Sequence, residues 1–512
     1  MTTVDLSPIT SQEMRALDLN AQYLGVSDTQ LMENAGAAVA REVAARAKKG
    51  SRVIVLAGTG GNGGDGMVAA RHLAGMGFKI HTWLLGDPLA ITRGDVRANW
   101  DTLRLMPDSV KITVVKDSAL LSPVEADVVL DALLGTGAKG VLRPPILQAV
   151  KAMNKAAGLK IAVDIPTGLD SDSGEIQGEA FKADLTITFH RPKQGLVLKQ
   201  RRSIVGELVV AEIGVPPEAE EHVGPGDVYL ASKPRLSETH KGDYGRVLVI
   251  GGSEDFHGAP TLAALAALGV GVDLVYVAVP ELVAHEVASA SPDLIVIKLR
   301  GRNLSMENRG QLRKWMSQAS AVVFGPGLGL DEDTRKAVKA VVEEIEASGR
   351  PLLLDADGLK AFSEFKRPLN CPLVVTPHAG EYVILTGQKL SAGIEDRVKQ
   401  ISNTAKGLGC VVVVKSPIDI VTDGRRVKLN RFVHNPGMTV GGTGDVLSGI
   451  IGALMSQGIE PFRASAAGIY VNGAAGDYAL NEKGYHLSAT DLLPWIPRVM
   501  NDPAAHTNVR HY

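Results

Sequence analysis

Apolar residues along this chain gather into short, nearly unbroken runs, and stretches of helical period separate one run from the next. In the first half the runs are RVIVLA (52–57), IHTWLL (80–85), KITVV (111–115), VVLDALL (128–134), KIAVDIP (160–166), DLTITFH (184–190) and GELVVAEIG (206–214). Alternation would mark strands with one wet face. Continuous runs predict strands covered on both faces, hence a mostly parallel sheet clothed in helices. Thr10 and Glu13 have capping-box spacing before a first helix, and Ser27 or Asp28 opens a second that ends near Gly50. A helix from Met67 after a glycine loop, a polar helix through Trp100 and a helix from Pro145 complete the alternation.

The pattern stops between Pro216 and about Lys241, where PPEAEEHVGPGD is rich in Pro, Gly and acid and has no period; this is the predicted linker. RVLVIGG (246–252) restarts it. LVYVAV, LIVIKL, AVVFGPGLG, PLLLDADG, LVVTPH and CVVVVKS follow, then two helices beyond Gly444. The two halves carry different motifs, so the chain reads as two unlike α/β domains in tandem, over residues 1–220 and 230–505. The stretch from Gly258 to Pro280 is long enough to cross a bilayer. Its Asp273 and the glycines 269 and 271 instead predict an Ala/Leu helix, a turn and a strand.

Composition narrows the function classes. At 512 residues the chain holds two or three domains' worth of sequence. Its formal net charge of −2 gives no basic field for nucleic acid. Glycine is abundant (56 residues) and aromatics are sparse (4%), as expected for many tight turns in an α/β protein. The two cysteines, Cys371 and Cys410, exclude a disulfide scaffold and border apolar runs, which predicts buried thiols. The N-terminus has no signal-peptide pattern, so a soluble, cytoplasmic protein without membrane partners is expected.

Two constellations carry chemistry. In the first half, GTGGNGGDG (58–66) lies between a strand and a helix, and Gly58, Gly60 and Gly63 satisfy G-x-G-x-x-G. Small residues there let backbone amides approach a pyrophosphate at a helix N-terminus. Asn62 and Asp65 place polar groups inside the loop, and Asp131, Asp164 and Thr167 stand at strand ends that converge on the same crevice. Mixed amide, hydroxyl and carboxylate oxygens suit a hard cation. In the second half, NPGMTVGGTGDVLSG (435–449) delivers Asp445 to the first turn of an apolar helix. The amides of Gly442 to Gly444 and the helix dipole would stabilise a transferring phosphoryl group, and Asp445 beside them would take a proton from a hydroxyl. No Gly-Lys-Ser/Thr follows, which excludes a Walker loop. GPGLG (325–329), TPHAGE (376–381), KSPID (415–419) and HGAP (257–260) occupy supporting positions, with Lys415 placed to reach a phosphate.

GTGGNGGDG, DALLGTGAKG, DIPTGLDSDSG and ADLTITFHRPKQGL, with MENAG before them, resemble the NAD(P)HX epimerase domain over roughly residues 10–215. The second-half motifs resemble the ribokinase-type fold, and more closely the ADP-dependent NAD(P)HX dehydratase domain, over about 235–500. The resemblance implies a Rossmann-like doubly wound sheet followed by a ribokinase-like α/β domain. It implies that Gly61, Asn62, Gly63, Gly64 and Asp65, the loop Gly135, Thr136, Gly137, Ala138, Lys139, Gly140 and Val141, and Asp164 hold a hydrated nicotinamide dinucleotide. A potassium ion is implied near Asn62, Asp131 and the Thr167 hydroxyl. Asp184 and Lys193 are the candidates for proton transfer at the epimerised carbon, both expected to border the crevice. In the second domain Ala259, Gly327, His378 and Asp445 would contact the hydrate, and Lys415, Ser416, Pro417, Ile418, Asp419 and Gly444 would bind ADP, with magnesium.

The chain departs from the family pattern at Gly61 (usually Asn), Thr167 (usually Ser), Ser416 (usually Gly) and Asp273 (usually Gly). The expected function is repair of NADHX and NADPHX: epimerisation of R and S hydrates, then ADP-dependent dehydration of the S form to NAD(P)H with AMP and phosphate as products. The rival is a ribokinase-type small-molecule kinase fused to a non-catalytic binding module. A symmetric homo-oligomer is expected for an α/β protein of this size.

Overall fold

The structure, a computed structural model, describes residues 7–509. The chain divides after Pro216 into two compact units. In the first, β1 (Arg52–Ala57), β2 (Lys79–Leu85), β3 (Val110–Val115), β4 (Val128–Ala132), β5 (Leu159–Val163), β6 (Leu185–Phe189) and β7 (Glu207–Ala211) form one sheet in the order β3-β2-β1-β4-β5-β6-β7. Every pairing is parallel. The apolar runs of the sequence are these strands, and β4 and β6 are buried along their whole length. Both predicted caps form: Thr10 and Glu13 make a reciprocal capping box before the helix Ser11–Tyr23, and Ser27 does so with Gln30 before Asp28–Arg46.

The second unit carries β8 (Arg246–Ile250), β9 (Leu274–Pro280), β10 (Leu294–Leu299), β11 (Ala321–Phe324), β12 (Leu352–Leu354), β13 (Leu373–Val375), β14 (Val411–Val414), β15 (Asp419–Thr422) and β16 (Val427–Asn430). Their order is β10-β9-β8-β11-β12-β13-β14-β15-β16, parallel up to β14 and antiparallel beyond it. The 258–280 stretch resolves into the helix Gly258–Val270, left-handed Gly271 (φ 93°) and β9. Among the described residues no helix is long and apolar enough to cross a membrane. Cys371 and Cys410 are buried, and burial pushes their thiols up to about 11 and about 12.

Three segments differ from the sequence expectation. The predicted linker holds two short helices, Pro217–Glu221 and Pro225–Ala231, that belong to the second unit. Val223 N donates to Leu429 O (2.9 Å) and Lys428 Nζ to His222 O (3.0 Å), which fastens the segment to β16. Proline suits the first turn of a helix, so the residues that read as breakers are helix starts. The glycine loop after β1 is helical from Gly61 rather than from Met67. Packing overrides glycine's poor propensity there: a Cβ at Gly63 would lie 2.0 Å from Gly58 O, and one at Gly66 would lie 2.4 Å from Ala132 Cβ. The hairpin β15–β16 was hidden behind KSPID, although Asp423-Gly424 between apolar runs is a hairpin signal.

The helix Thr443–Ser456 crosses Gly258–Val270 at Gly449, where a Cβ would lie 2.1 Å from Ala263 O. Gly449→Ala is therefore expected to lower stability by about 1–3 kcal/mol in denaturant unfolding, as overpacked positions do; an unchanged midpoint would contradict this close approach.

Two candidate active sites

Chain order in the first sheet reverses between β1 and β4, so the loops at their carboxyl ends diverge and open a crevice. A cavity of about 630 Å³ lies there, lined by Gly58–Asn62 and Asp65 from one side, Leu133–Ala138 from the other, and Asp18, Asp164 and Lys193. Asn62 sits in the first turn of the helix Gly61–Gly75, and Asp65 follows at its fifth residue. Lys139, Gly140, Val141 and Thr167 line a smaller neighbouring cavity of about 150 Å³, shared with Gly135 and Ala138.

Asp131, on β4, is fully buried. Its Oδ2 accepts from Thr167 N (2.7 Å), and its Oδ1 accepts from the Thr167 hydroxyl (2.7 Å) and Leu133 N (3.2 Å). Burial raises its pKa to about 6 against the pull of those bonds. Asn62 Nδ2 donates to Leu134 O (3.0 Å), while its Oδ1 is buried with no partner among the described residues. A buried amide oxygen left without a hydrogen-bond partner carries a desolvation cost that nothing among the described residues offsets.

Asp164 adopts φ 64° at the end of β5. Its Oδ1 accepts from Lys193 Nζ (2.7 Å) and the Thr188 hydroxyl (3.0 Å). Lys193 is 1% exposed and also donates to Thr188 Oγ1 (3.0 Å) and Phe189 O (3.0 Å). Burial pushes Asp65 well above the usual carboxylate range, with Asp164 adding and Arg93 opposing.

Two expectations about this crevice are corrected. Asp184 does not border it: it precedes β6, and five residues of strand at about 3.3 Å each put it roughly 17 Å from the carboxyl ends. Its carboxylate accepts from Lys160 N (2.9 Å) at the opposite edge of the sheet. Gly63 and Gly64 do not line the cavity, because their faces are filled by Gly58 and Met32. Two lining residues had no motif to announce them. Asp18 lies on the Met14 face of the first helix, and Arg93 stands beside Gly61, where a Cβ would lie 3.0 Å from its Nη1.

The second sheet reverses between β8 and β11, and again the strand ends collect the candidate residues. Lys415, after β14, pairs with Asp355, after β12, at 2.9 Å, and lies 4.0 Å from Glu381. Burial opposes both charges, yet the pair holds Asp355 below and Lys415 above their ordinary values. Asp355 Oδ2 accepts from the Ser448 hydroxyl (2.6 Å) in the helix Thr443–Ser456. A Cβ at Gly444 would lie 3.2 Å from Lys415 Nζ, so the ammonium abuts the glycine loop. Gly442 takes φ 97° as the residue that caps this helix. Asp445 follows in the first turn, its carboxyl raised to about 7 by burial, with Asp355 adding and Lys415 opposing.

His378 caps the helix Ala379–Thr386. Its Nδ1 accepts from Gly380 N (3.0 Å) and Glu381 N (3.3 Å), which leaves the neutral ring's proton on Nε2, 3.5 Å from Glu381 Oε2. Ala259 and Gly327 adjoin each other beneath Phe256. The Asp419 carboxylate accepts from Ser416 N (2.9 Å) and Asn430 Nδ2 (3.1 Å), so that side chain shapes the 415–419 turn. Asp355 and Glu381 were missed as site residues, though Asp355 directly follows a strand, which is the signal that singled out Asp164, while Glu381 sits in the first turn of the helix Ala379–Thr386.

Residues 28–195 match the family model described as YjeF-related protein N-terminus, and residues 247–498 match that of NAD(P)H-hydrate dehydratase. A bifunctional NAD(P)H-hydrate repair enzyme Nnr of Hyperthermus butylicus is 47% identical over 505 residues, 98% of this chain and 93% of that protein. The chain belongs to this family of bifunctional repair enzymes. The Nnr of Pyrobaculum aerophilum is 43% identical over 97% of this chain and 98% of its own length. The ADP/ATP-dependent NAD(P)H-hydrate dehydratase of Bacillus subtilis, co-crystallised with ATP/Mg2+, is 26% identical with a TM-score of 0.46, covering 54% of this chain and 96% of that one. The first unit is thus the epimerase domain and the second the dehydratase domain.

Removing one partner of a buried ion pair leaves an uncompensated charge. Asp355→Ala is expected to destabilise the dehydratase domain by about 3–5 kcal/mol in denaturant unfolding. A loss below about 1 kcal/mol, the scale of an exposed pair, would contradict the pairing.

Proposed function

We propose that the epimerase domain interconverts the R and S hydrates of NADH and NADPH, and that the dehydratase domain uses ADP to return the S hydrate to the active coenzyme. In the second reaction Asp445 takes the proton of the substrate hydroxyl, whose oxygen attacks the β-phosphorus of ADP. AMP leaves, and loss of the new phosphate ester as inorganic phosphate restores the ring double bond. The observation that carries this reading is the place of Asp445 in the first turn of a glycine-capped helix whose Gly444 abuts Lys415 Nζ, where burial raises its carboxyl to about 7. A base titrating close to ambient pH and amides aimed at developing phosphoryl charge are the two requirements of such a transfer. Lys415, Ser416, Pro417, Ile418 and Gly444 form the nucleotide side of the site, with Asp419 bracing their turn. His378, Ala259 and Gly327 form the hydrate side.

Magnesium fits this site as an ion that arrives with the nucleotide, since it commonly takes one or two carboxylates plus phosphate oxygens. Asp355 and Glu381 are the carboxylates beside Lys415 that would hold it, and it would neutralise phosphate charge. In the epimerase domain Asn62 Oδ1, Asp131 and the Thr167 hydroxyl fit potassium, which would compensate the buried Asp131 charge. Gly61, Asn62, Asp65, the loop 135–141 and Asp164 cradle the hydrate there. A symmetric homo-oligomer is part of the proposal, on the general tendency of such proteins.

Incubating the purified protein with mixed hydrates and ADP is expected to restore coenzyme with one AMP and one phosphate per molecule; a stable phosphorylated alcohol would instead make it a kinase. Asp445→Asn should cut dehydration by about 10²–10⁴-fold with ADP affinity retained. Because the base works ionised, kcat/KM for dehydration should rise with pH through about 7. A flat profile would remove Asp445 from the proton transfer. Asp131→Ala should raise the potassium concentration needed for epimerisation and leave dehydration untouched; coincident titrations would misplace the cation.

A further inference from the structure

Epimerisation needs a group that can exchange a proton with the hydroxyl oxygen and the ring nitrogen that share the inverted carbon, and the crevice offers few. Lys193 is not one: an ammonium has three N–H donors, and Asp164, Thr188 Oγ1 and Phe189 O accept all three. Asp164 is fixed in turn as an acceptor for Lys193 and Thr188. Asp28, at the rim, is hydrogen-bonded to Gln22 and lies 3.6 Å from Arg93. Asp18 and Asp65 remain.

Asp65 belongs to the glycine segment that cradles the dinucleotide, whereas Asp18 comes from a separate element placed over the cavity. The helix Ser11–Tyr23 is stapled there at its N-terminus. Ile9 N donates to Pro192 O (3.0 Å) and Gln194 N to Ile9 O (3.1 Å), which ties the helix start to the loop carrying Lys193. Ser11 N and Oγ both donate to Asp172 (2.7 Å each). Met14 and Asp18, four apart and so on one helix face, then line the cavity with Asp164 and Lys193. Asp18 lies outside residues 28–195, the stretch that the first family model covers.

We propose that Asp18 is the catalytic acid–base of the epimerase, an assignment that rests on the epimerase activity proposed above. Water adds to an enamine at the carbon bonded to nitrogen, so the hydrate is a cyclic hemiaminal, and one carboxyl that reaches both oxygen and nitrogen suffices to invert it. The Asp18 carboxylate takes the hydroxyl proton; the C–O bond becomes C=O as the C–N bond breaks with its electron pair on nitrogen. Nitrogen then takes the proton from Asp18. Rotation presents the other face of the aldehyde. As nitrogen re-attacks, its proton returns to Asp18 and passes on to the oxygen, so nothing is consumed. Burial raises Asp18 to about 6, with Arg15 and Lys193 opposing and Asp28 and Asp164 adding, which suits a group that must both accept and donate.

The bifunctional chain contains its own control. Full-length parent, D18N and D18E are given a mixture of both epimers with excess ADP, and restored coenzyme is followed. The parent should consume both halves. D18N should restore the S half at the parental rate and then stall, its kcat for the R hydrate down by about 10²-fold or more at little-changed KM, while D18E recovers part of the loss. If the parent itself leaves the R half, the epimerase reading fails. If D18N consumes the R half at the parental rate, shows a raised KM at unchanged kcat, or is surpassed in its defect by D65N, the assignment to Asp18 fails.

Discussion

The buried ion pair between Lys415 and Asp355 is the contact on which the dehydratase site depends. Lys415 ends β14, Asp355 ends β12, and Ser448 brings the helix of the glycine loop to the same carboxylate. One acidic side chain therefore joins two strand ends to the helix that carries Asp445. The Asp355 side chain is 2% exposed and that of Lys415 21%, so charge in this region is expensive and must be compensated locally. Asp445, next to this pair but not part of it, bears the consequence: its own ionisation is suppressed by burial and by Asp355. Burial is the larger cause, and the neighbouring carboxylate adds to it while Lys415 opposes.

The epimerase domain follows the same logic with different parts. Asp164 and Lys193 neutralise each other, and Thr167 engages both oxygens of Asp131. Asn62 is held by its amide nitrogen while its oxygen stays unmet. Glycine makes these approaches possible in both domains. Gly58 abuts Leu133 O, as Gly325 abuts Asp355 O, and in each case a Cβ would sit about 2 Å from a carbonyl oxygen. Some of the chain's glycines thus serve close packing at the two switch points, and others serve turns elsewhere.

Much of this was legible in the sequence because parallel strands buried on both faces write continuous apolar runs, and strand-end aspartates lie next to them. Asp131 and Asp164 were found that way, and Asp445 by the glycine run that leads into an apolar helix. Asp355 carried the same signal but was outweighed by neighbouring motifs, and Glu381, in a helix's first turn, did not carry it. The strand-end rule also placed Asp184 wrongly, since an aspartate before a strand occupies the sheet's other edge. Asp18 was illegible for a deeper reason. Its place over the crevice comes from the pairing of Ile9 with Lys193 across most of the domain, a contact that no local pattern encodes. The helical start at Gly61 was hidden likewise, because tertiary packing there overrides glycine's intrinsic preference.

The most direct measurement is a crystal structure of the protein grown with AMP and phosphate. Phosphate bound to the backbone N–H groups of Gly442–Gly444, within reach of Lys415 and beside the Asp445 carboxyl, is the predicted result. Phosphate bound elsewhere, or the glycine loop closed over an inaccessible Asp445, would contradict the assignment of that carboxyl as the base.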